Sequence, residues 1–129
     1  MAVSKSSLYE IRVETTFEAA HYLHSYKGKP EPIHGHSWKV EVILKSSLNK
    51  EGYGVDFVEL KRKLDRLAAP FNHRNINEIS PFDDVTPSAE NLASWFFDHI
   101  FDFVTQRGAI LSKVVVWEGP ESSAACLAE

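Results

Sequence analysis

Residues 34–45 read HGHSWKVEVILK, and hydrophobic side chains recur at every second position from Trp38 to Leu44. The residues between them are mostly polar or charged, so one side of this segment is apolar and the other is not. A period of two over this length predicts a half-buried β-strand. The segment from Leu8 to Phe17 has the same period and predicts an earlier strand of the same kind.

Two segments further along the chain have the spacing of amphipathic helices. Asp56 is predicted to cap the first helix, with Glu59 completing a capping box, and this helix should end before Pro70. The second helix is predicted to begin at Thr86-Pro87, with the threonine as its cap, and to end before Gly108. The predicted apolar stripes are Phe57, Leu60, Leu64 and Leu67 in the first helix, and Leu92, Trp95, Phe96, Ile100 and Phe103 in the second.

The remaining segments predict a turn and two further strands. Residues 49–54 are rich in turn formers and predict a hairpin that leads into Val55. Residues 114–116 are three valines and predict a strand, and residues 122–127 predict a short edge strand. This order favours an α+β fold, in which a four-stranded antiparallel sheet carries both helices on one face. Apolar spacing on the other face predicts burial against further copies of the chain, which makes a homo-oligomer.

Composition restricts the class of protein. The 129 residues suffice for a single domain, expected at residues 8–129 after a disordered N-terminus at residues 1–7. No apolar run approaches the roughly 18–20 residues needed to cross a bilayer. The net charge is −4 and no basic stretch is dense, so neither nucleic acid nor a membrane is an expected partner. The single cysteine, Cys126, and the absence of a signal-peptide pattern predict a cytoplasmic location.

Six histidines in so short a chain suggest metal binding. His34 and His36 are two residues apart at the start of a predicted strand, so both project to one face about 6.5–7 Å apart. His21 ends the earlier strand and comes within reach of them if the two strands pair. Three imidazoles with an open fourth position are typical of catalytic zinc, whereas polar surface histidines at a strand end are the alternative. His24 and His99 receive little weight as ligands.

Six short motifs follow one another along most of the chain. They are Phe17-Glu18-Ala19-Ala20-His21, His34-Gly35-His36, Val55-Asp56-Phe57 with Leu60-Lys61, Asn72-His73-Arg74-Asn75-Ile76-Asn77, Thr86-Pro87-Ser88-Ala89-Glu90-Asn91 and Trp117-Glu118. In this order and spacing the chain resembles the 6-pyruvoyltetrahydropterin synthase / 6-carboxytetrahydropterin synthase family. The resemblance implies the T-fold (tunnelling fold), in which subunits join their sheets into a barrel and form active sites at subunit interfaces. It further implies a hexamer.

The resemblance also implies a zinc enzyme that acts on 7,8-dihydroneopterin triphosphate. The implied zinc ligands are His21, His34 and His36. The implied pterin anchor is Glu118, because a carboxylate can accept two parallel hydrogen bonds from the ring N–H and the exocyclic amine. Ser88 and Glu90 match the stretch that contacts the pterin, although both residues also suit the start of a helix.

Two positions depart from the family pattern. The usual cysteine before the His-Gly-His motif is absent, and Glu31 is the acid–base group in that loop. This resembles the variant subgroup in which glutamate replaces cysteine and 6-hydroxymethyl-7,8-dihydropterin is made for folate, so Glu31 is the implied catalytic base. Asn72 replaces the usual aspartate before His73, the second implied catalytic residue, which leaves that imidazole a weaker base. The candidates for binding the triphosphate are Lys27, Lys29 and Arg74.

The sequence leaves other functions open. A 6-pyruvoyl- or 6-carboxy-tetrahydropterin synthase, on the biopterin or queuosine route, is one alternative. A non-catalytic relic that binds zinc or pterin would also explain the missing cysteine and aspartate. A cupin is a third alternative, because His34-x-His36 followed by Glu41 imitates its metal motif. Two well-formed helices argue against the closed double sheet that a cupin needs.

Overall fold

The structure is a computed structural model that describes residues 7–129. The expectation of disorder at residues 1–7 therefore falls, except for Ser7, outside the described residues. In chain order the elements are β1 (Tyr9–His21), β2 (His34–Ser46), α1 (Phe57–Ala68), β3 (Arg74–Asn75), α2 (Ala89–Gln106), β4 (Ile110–Glu118) and β5 (Ser123–Leu127), with short 3-10 helices at Ala69–Phe71 and Ile76–Glu78.

The elements form one five-stranded sheet in the order β3-β1-β2-β4-β5, with both helices on one face. The four predicted strands are present and antiparallel, but the prediction of a four-stranded sheet missed β3, a two-residue strand parallel to β1. Hydrogen bonds between distant parts of the chain hold the segment before β3 against β1, because the Asn72 side chain accepts from the Glu18 N–H and the His73 N–H donates to the Glu18 carbonyl. Two residues are too short to show a period, so the sequence pattern could not reveal this strand.

The core lies between the sheet and the helices. On β2, alternate side chains from Trp38 to Leu44 have no exposed surface, as the period of two predicts. The helices bury their predicted stripes against them, with Leu60 and Leu64 fully buried in α1. Phe57 is the exception, because at the first position of α1 its side chain is 62% exposed and does not join the core.

The helix ends show how local hydrogen bonds set their limits. Asp56 caps α1 as predicted, accepting from the backbone N–H groups of the second and third helical residues. The cap of α2 is Ser88, whose hydroxyl accepts from the Asn91 N–H at 3.1 Å, and the prediction of Thr86 was wrong. The Thr86 hydroxyl is engaged elsewhere, because it accepts from the His24 N–H at 2.9 Å.

The predicted hairpin at residues 49–54 is also wrong. These residues form a compact turn, closed by the Asn49 N–H and the Tyr53 carbonyl at 2.7 Å, and no strand follows at Val55. Val55 instead enters the core directly with 4% of its surface exposed. Gly54 passes so close to β1 that a Cβ there would lie 2.7 Å from the Ile11 Cδ1. The turn residues therefore direct the chain into the core and not into a second strand of a hairpin.

The sheet face opposite the helices is charged as well as apolar. Arg12 on β1 bonds to Glu41 on β2, which also accepts from the Trp117 indole on β4, and Lys39 stacks over Trp117. The expectation of an apolar face is therefore wrong for the three central strands. Within residues 7–129, no helix is both long enough and apolar enough to cross a membrane.

Candidate metal centre

The pairing of β1 with β2 brings three histidines to one end of the sheet. His21, the last residue of β1, lies opposite His34, the first residue of β2, and Ala19 lies opposite His36. The three imidazoles therefore share the face that the helices cover, as the period of two predicted. The Nε2 atoms of His21 and His34 are 3.1 Å apart, and the ring centroids of His34 and His36 are separated by 4.6 Å.

Backbone carbonyls orient two of these rings. The Nδ1–H of His21 donates to the Pro87 carbonyl at 2.7 Å, and the Nδ1–H of His34 donates to the Pro32 carbonyl at 3.0 Å. In neutral imidazoles of this tautomer both Nε2 atoms carry a lone pair, so they face one another without a proton between them. A cation between the two nitrogens removes this repulsion. Metal-binding histidines usually donate their other ring N–H to a backbone carbonyl or a carboxylate, as His21 and His34 do here.

Glu118 completes a group of four possible metal ligands, whose ligand atoms all lie within 4.8 Å of one another. Its carboxylate oxygens are 3.4 Å from the His21 Nε2 and 3.1 Å from the His36 Nε2. The His36 Nε2 is buried and has no hydrogen-bond partner among the described residues. Ligand atoms around a tetrahedral zinc ion, at bond lengths of about 2.0–2.1 Å, are separated by about 3.3–3.4 Å. The residues present therefore fit a bound zinc ion.

Burial keeps His21 in the form that a metal requires. Only 1% of its side chain is exposed, and burial lowers the pKa of the His21 imidazole although the Pro87 carbonyl and Glu118 act in the opposite direction. The imidazole is therefore neutral at neutral pH, as a zinc ligand must be.

Glu118 also borders a cleft beside the start of α2. The cleft has a volume of about 220 Å³ and is lined by Ser88, Glu90 and Glu118, together with the start of β5. The structure thus brings the three expected pterin contacts to one place, next to the histidines. The contact of Glu118 with the histidines was not foreseen. It follows from the pairing of Trp38 with Glu118 across β2 and β4, a long-range register that local pattern does not give.

Glu31 lies at the edge of the histidine group. One of its carboxylate oxygens accepts from the Leu23 N–H at 3.1 Å and is 3.7 Å from the His34 Nδ1. The Glu31 N–H in turn donates to the Leu23 carbonyl at 3.0 Å, which ties the loop to the segment after β1. The side chain is 20% exposed, so the carboxylate is held in place and still open to a ligand.

The structure places His73 outside the group of four possible metal ligands. His73 lines a separate cleft with Glu18 and Ser37, and of the three histidines His36 alone is among the residues that line that cleft. Asn72 does not orient this imidazole through its side-chain oxygen, because that oxygen accepts from the Glu18 N–H at 2.9 Å. Arg74 lines the same cleft as His73.

The other basic and histidine candidates lie outside the group of four ligands. Lys27 and Lys29 are exposed on a tight turn that starts at Tyr26, where the Lys27 ammonium stacks over the tyrosine ring. His24 is half-buried, and His99 stacks on Trp95 with ring centroids 4.0 Å apart. Neither histidine belongs to the metal group, as expected.

The fold and this site together define a class of protein, an α+β protein in which three histidines that could hold a metal ion converge where β1 and β2 meet. A family model described as 6-pyruvoyl tetrahydropterin synthase matches residues 10–129. A relative from Pyrococcus furiosus, named dihydroneopterin monophosphate aldolase, is 33% identical over 82% of this chain and 86% of its own length. The chain belongs to the 6-pyruvoyl tetrahydropterin synthase family.

Solved structures of this family share the fold. A 6-pyruvoyl tetrahydropterin synthase from Caenorhabditis elegans superposes with a TM-score of 0.84, covering 98% of this chain and all of that one, at 21% identity. Another, from Plasmodium vivax, is a mutant in which a catalytic glutamate is replaced by alanine; its TM-score is 0.72 at 22% identity, over 94% of this chain and 98% of that one. The fold is therefore the T-fold, as expected.

Proposed function

We propose that the chain is a zinc-dependent lyase that acts on 7,8-dihydroneopterin triphosphate and releases 6-hydroxymethyl-7,8-dihydropterin. The observation that carries this proposal is the convergence of the His21, His34 and His36 imidazoles beside the Glu31 carboxylate. Three histidines supply a ligand set typical of catalytic zinc, and Glu31 supplies an acid–base group on the loop where the family has its cysteine.

Each side chain has a role that its position supports. His21, His34 and His36 hold the ion, which supplies Lewis-acid chemistry that lowers the pKa of side-chain hydroxyl groups of the substrate. Glu118 accepts hydrogen bonds from the pterin ring, with Ser88 and Glu90 in the same cleft. Pterin binding there places the substrate side chain towards the histidines, because Glu118 borders both sites.

Glu31 acts as the general base of the cleavage. It takes the proton from the second hydroxyl group of the side chain, and the bond between the first and second side-chain carbons breaks. The bonding electrons move into the C=N bond of the dihydropterin ring, the second carbon leaves as an aldehyde, and a proton returned to the first carbon gives the hydroxymethyl product. The name of the Pyrococcus relative and the catalytic glutamate of the Plasmodium protein support this assignment.

We propose that His73 serves the active site of a neighbouring copy. In one chain it lies outside the group of four possible metal ligands and lines a separate cleft, to which His36 alone of that group contributes. A hexamer with interface active sites, as the resemblance implies, would bring this imidazole to the site of a neighbouring copy. The sole cysteine, Cys126, is free, which supports a cytoplasmic location.

The Pyrococcus relative's name favours a second candidate substrate, 7,8-dihydroneopterin monophosphate. The test incubates the zinc-loaded protein with the triphosphate and, separately, with the monophosphate, and identifies the products by mass spectrometry. We expect 6-hydroxymethyl-7,8-dihydropterin from at least one of them. A 6-pyruvoyl or 6-carboxy product would assign the chain to the other branches of the family. No turnover of either substrate would indicate a relic.

A further inference from the structure

The carboxylate of Glu118 lies where a fourth zinc ligand would be. Its oxygens are 3.4 Å from the His21 Nε2 and 3.1 Å from the His36 Nε2, and the Nε2 atoms of His21 and His34 are 3.1 Å apart. These separations are close to the edges of a ligand tetrahedron around zinc, about 3.3–3.4 Å long. Three imidazoles and this carboxylate would therefore surround an ion completely.

The Glu118 carboxylate cannot bind the pterin ring through both oxygens and ligate the metal at the same time. Clamping a pterin takes both oxygens, one for the ring N–H and one for the exocyclic amine. Metal ligation takes at least one of them. Among the described residues, the ion-pair contacts of this carboxylate are with the two histidines, and its side chain is 32% exposed at the mouth of the cleft. It is therefore free to turn from the histidines to the cleft.

We propose that Glu118 is the fourth metal ligand when no pterin is bound, and that the pterin ring removes it from the metal. This inference rests on the proposed zinc and pterin sites. In the resting protein the metal is closed by four protein ligands, which keeps water from the fourth position. Binding of the ring then opens that position beside the substrate side chain, so the reactive form of the centre exists only once substrate is in place.

Because zinc and pterin compete for the Glu118 carboxylate, each of them should weaken the binding of the other. If pterin lowers the zinc affinity by a given factor, zinc must lower the pterin affinity by the same factor. The probe is unsubstituted pterin, which has the ring that Glu118 binds but no side-chain hydroxyl group that could replace the carboxylate.

The experiment measures zinc affinity by chelator competition, at a pH above the usual histidine pKa of about 6.5, with and without saturating pterin. A parallel titration measures pterin binding to the metal-free and the zinc-loaded protein. Glu118→Gln is compared with Glu121→Gln, a control that removes the same charge three positions further along the chain, at an exposed residue outside the group of four ligands. The visible absorption of the Co²⁺-substituted protein reports the change in coordination directly.

We expect pterin to weaken zinc binding by about 10-fold or more, and Glu118→Gln to weaken it by a similar factor while Glu121→Gln does not. The Co²⁺ spectrum should change on adding pterin to the wild type. Zinc binding that is unchanged or strengthened by pterin, with Glu118→Gln equal to Glu121→Gln, overturns the exchange but leaves the three-histidine site intact. A wild-type chain that binds no zinc overturns the proposed function as well.

Discussion

The orientation of His21 depends on a chain of hydrogen bonds that starts in α2. The Asn91 side-chain amide donates to the Thr86 carbonyl at 2.9 Å, and the adjoining Pro87 carbonyl accepts from the His21 Nδ1 at 2.7 Å. The Thr86 hydroxyl accepts from the His24 N–H, which ties the same segment to the end of β1. We therefore expect Asn91 to act as a positioning residue for His21, a candidate metal ligand that it does not touch.

Replacing Asn91 by aspartate tests this positioning role. Asn91→Asp has nearly the same shape, but it loses the N–H that holds the Thr86 carbonyl. We expect zinc affinity to fall about 10- to 100-fold, as it does when other residues that orient a metal ligand are replaced. The new acid lies in the first turn of α2, where negative charge is favourable, so thermal stability of the metal-free protein should not fall. Chelator competition and thermal unfolding measure the two effects, with the exposed Ser94→Ala as control. Unaltered zinc affinity would show that Asn91 only supports the helix.

The grouping of the three histidines predicts the zinc content of the purified protein. Purified protein should contain close to one zinc ion per chain, and His34→Ala should lose it, because two imidazoles and a carboxylate bind zinc more weakly. Elemental analysis of His21→Ala, His34→Ala and His36→Ala measures the loss. Retention of zinc in all three variants contradicts the assignment of the ligands.

Replacing Glu31 distinguishes the proposed lyase from a non-catalytic relic that binds zinc or pterin. Glu31→Gln is nearly isosteric, and its carbonyl oxygen can still accept from the Leu23 N–H, so only proton transfer is removed. General acid–base catalysis contributes about 10²–10⁴-fold, and we expect turnover to fall by that order while zinc content stays the same. Glu31→Cys should move the products towards those of the cysteine-bearing family members. If Glu31→Gln turns over like the wild type, the proton moves by another route.

At the level of single residues, the grouping of the three histidines could be predicted from the sequence better than the rest of the candidate site. The period of two and the pairing of adjacent strands place the three histidines together, and both are local features. The contact of Glu118 with the histidines depends on the register between β2 and β4, in which the paired residues Trp38 and Glu118 are 80 positions apart in the chain. His73 has a left-handed backbone conformation, with φ of 59°, which the sequence pattern does not indicate.

The elements themselves were predicted where a long period exists. β1, β2, α1 and α2 each show one, and their ends agree with the structure within a few residues. The start of α2 was misplaced because Thr86 and Ser88 both fit the rules for a cap, and the choice is made by His24, which takes the threonine hydroxyl. Tertiary hydrogen bonds thus decided between two locally equivalent starts.

Glu41 joins three strands on the sheet face away from the helices. Burial raises the pKa of its carboxyl, but hydrogen bonds from Arg12 and Trp117 more than offset this effect, so the pKa lies below the ordinary value. A folded-state pKa below the unfolded value of about 4.3 stabilises the protein at neutral pH. This stabilisation is lost as the pH falls below the unfolded value and through the folded pKa.

We expect Glu41→Gln to lower the free energy of unfolding at neutral pH by about 1 kcal/mol, because the Arg12 side of the pair is exposed. The difference from the wild type should shrink as the pH falls below about 4, where the wild-type carboxyl becomes protonated. Urea unfolding over a pH series measures it, with the exposed Glu10→Gln on the neighbouring strand β1 as control. A difference that persists unchanged in acid would mean that packing, not charge, is responsible.

The molecule as a whole has features that a second copy would cover. β3 pairs only with Ala19 and Ala20, so from Tyr9 to Glu18 the outer edge of β1 has no partner strand among the described residues. A long open edge is a template for pairing with another chain. Beside it lies a cleft of about 550 Å³ lined by exposed apolar side chains, which include Tyr9, Tyr53, Phe57 and Val58. β5 forms the opposite edge of the sheet, and within residues 7–129 no further strand pairs with its outer side.

The open edges of the sheet predict that the chain forms an oligomer, and a measurement of the oligomeric state tests this prediction. We expect a homo-oligomer in light scattering at micromolar concentration, with a mass near that of a hexamer. Phe57→Glu should weaken it, because the charge falls within the exposed cleft beside β1, yet an acid in the first turn of α1 suits the helix and should leave the subunit folded. Phe101→Glu, at an exposed position of α2, is the matched control. Because we assign His73 to the active site of a neighbouring copy, Phe57→Glu should lose turnover in step with its dissociation and keep its zinc. A wild-type monomer that turns over substrate would refute both the shared sheet and the assignment of His73 to a neighbouring site.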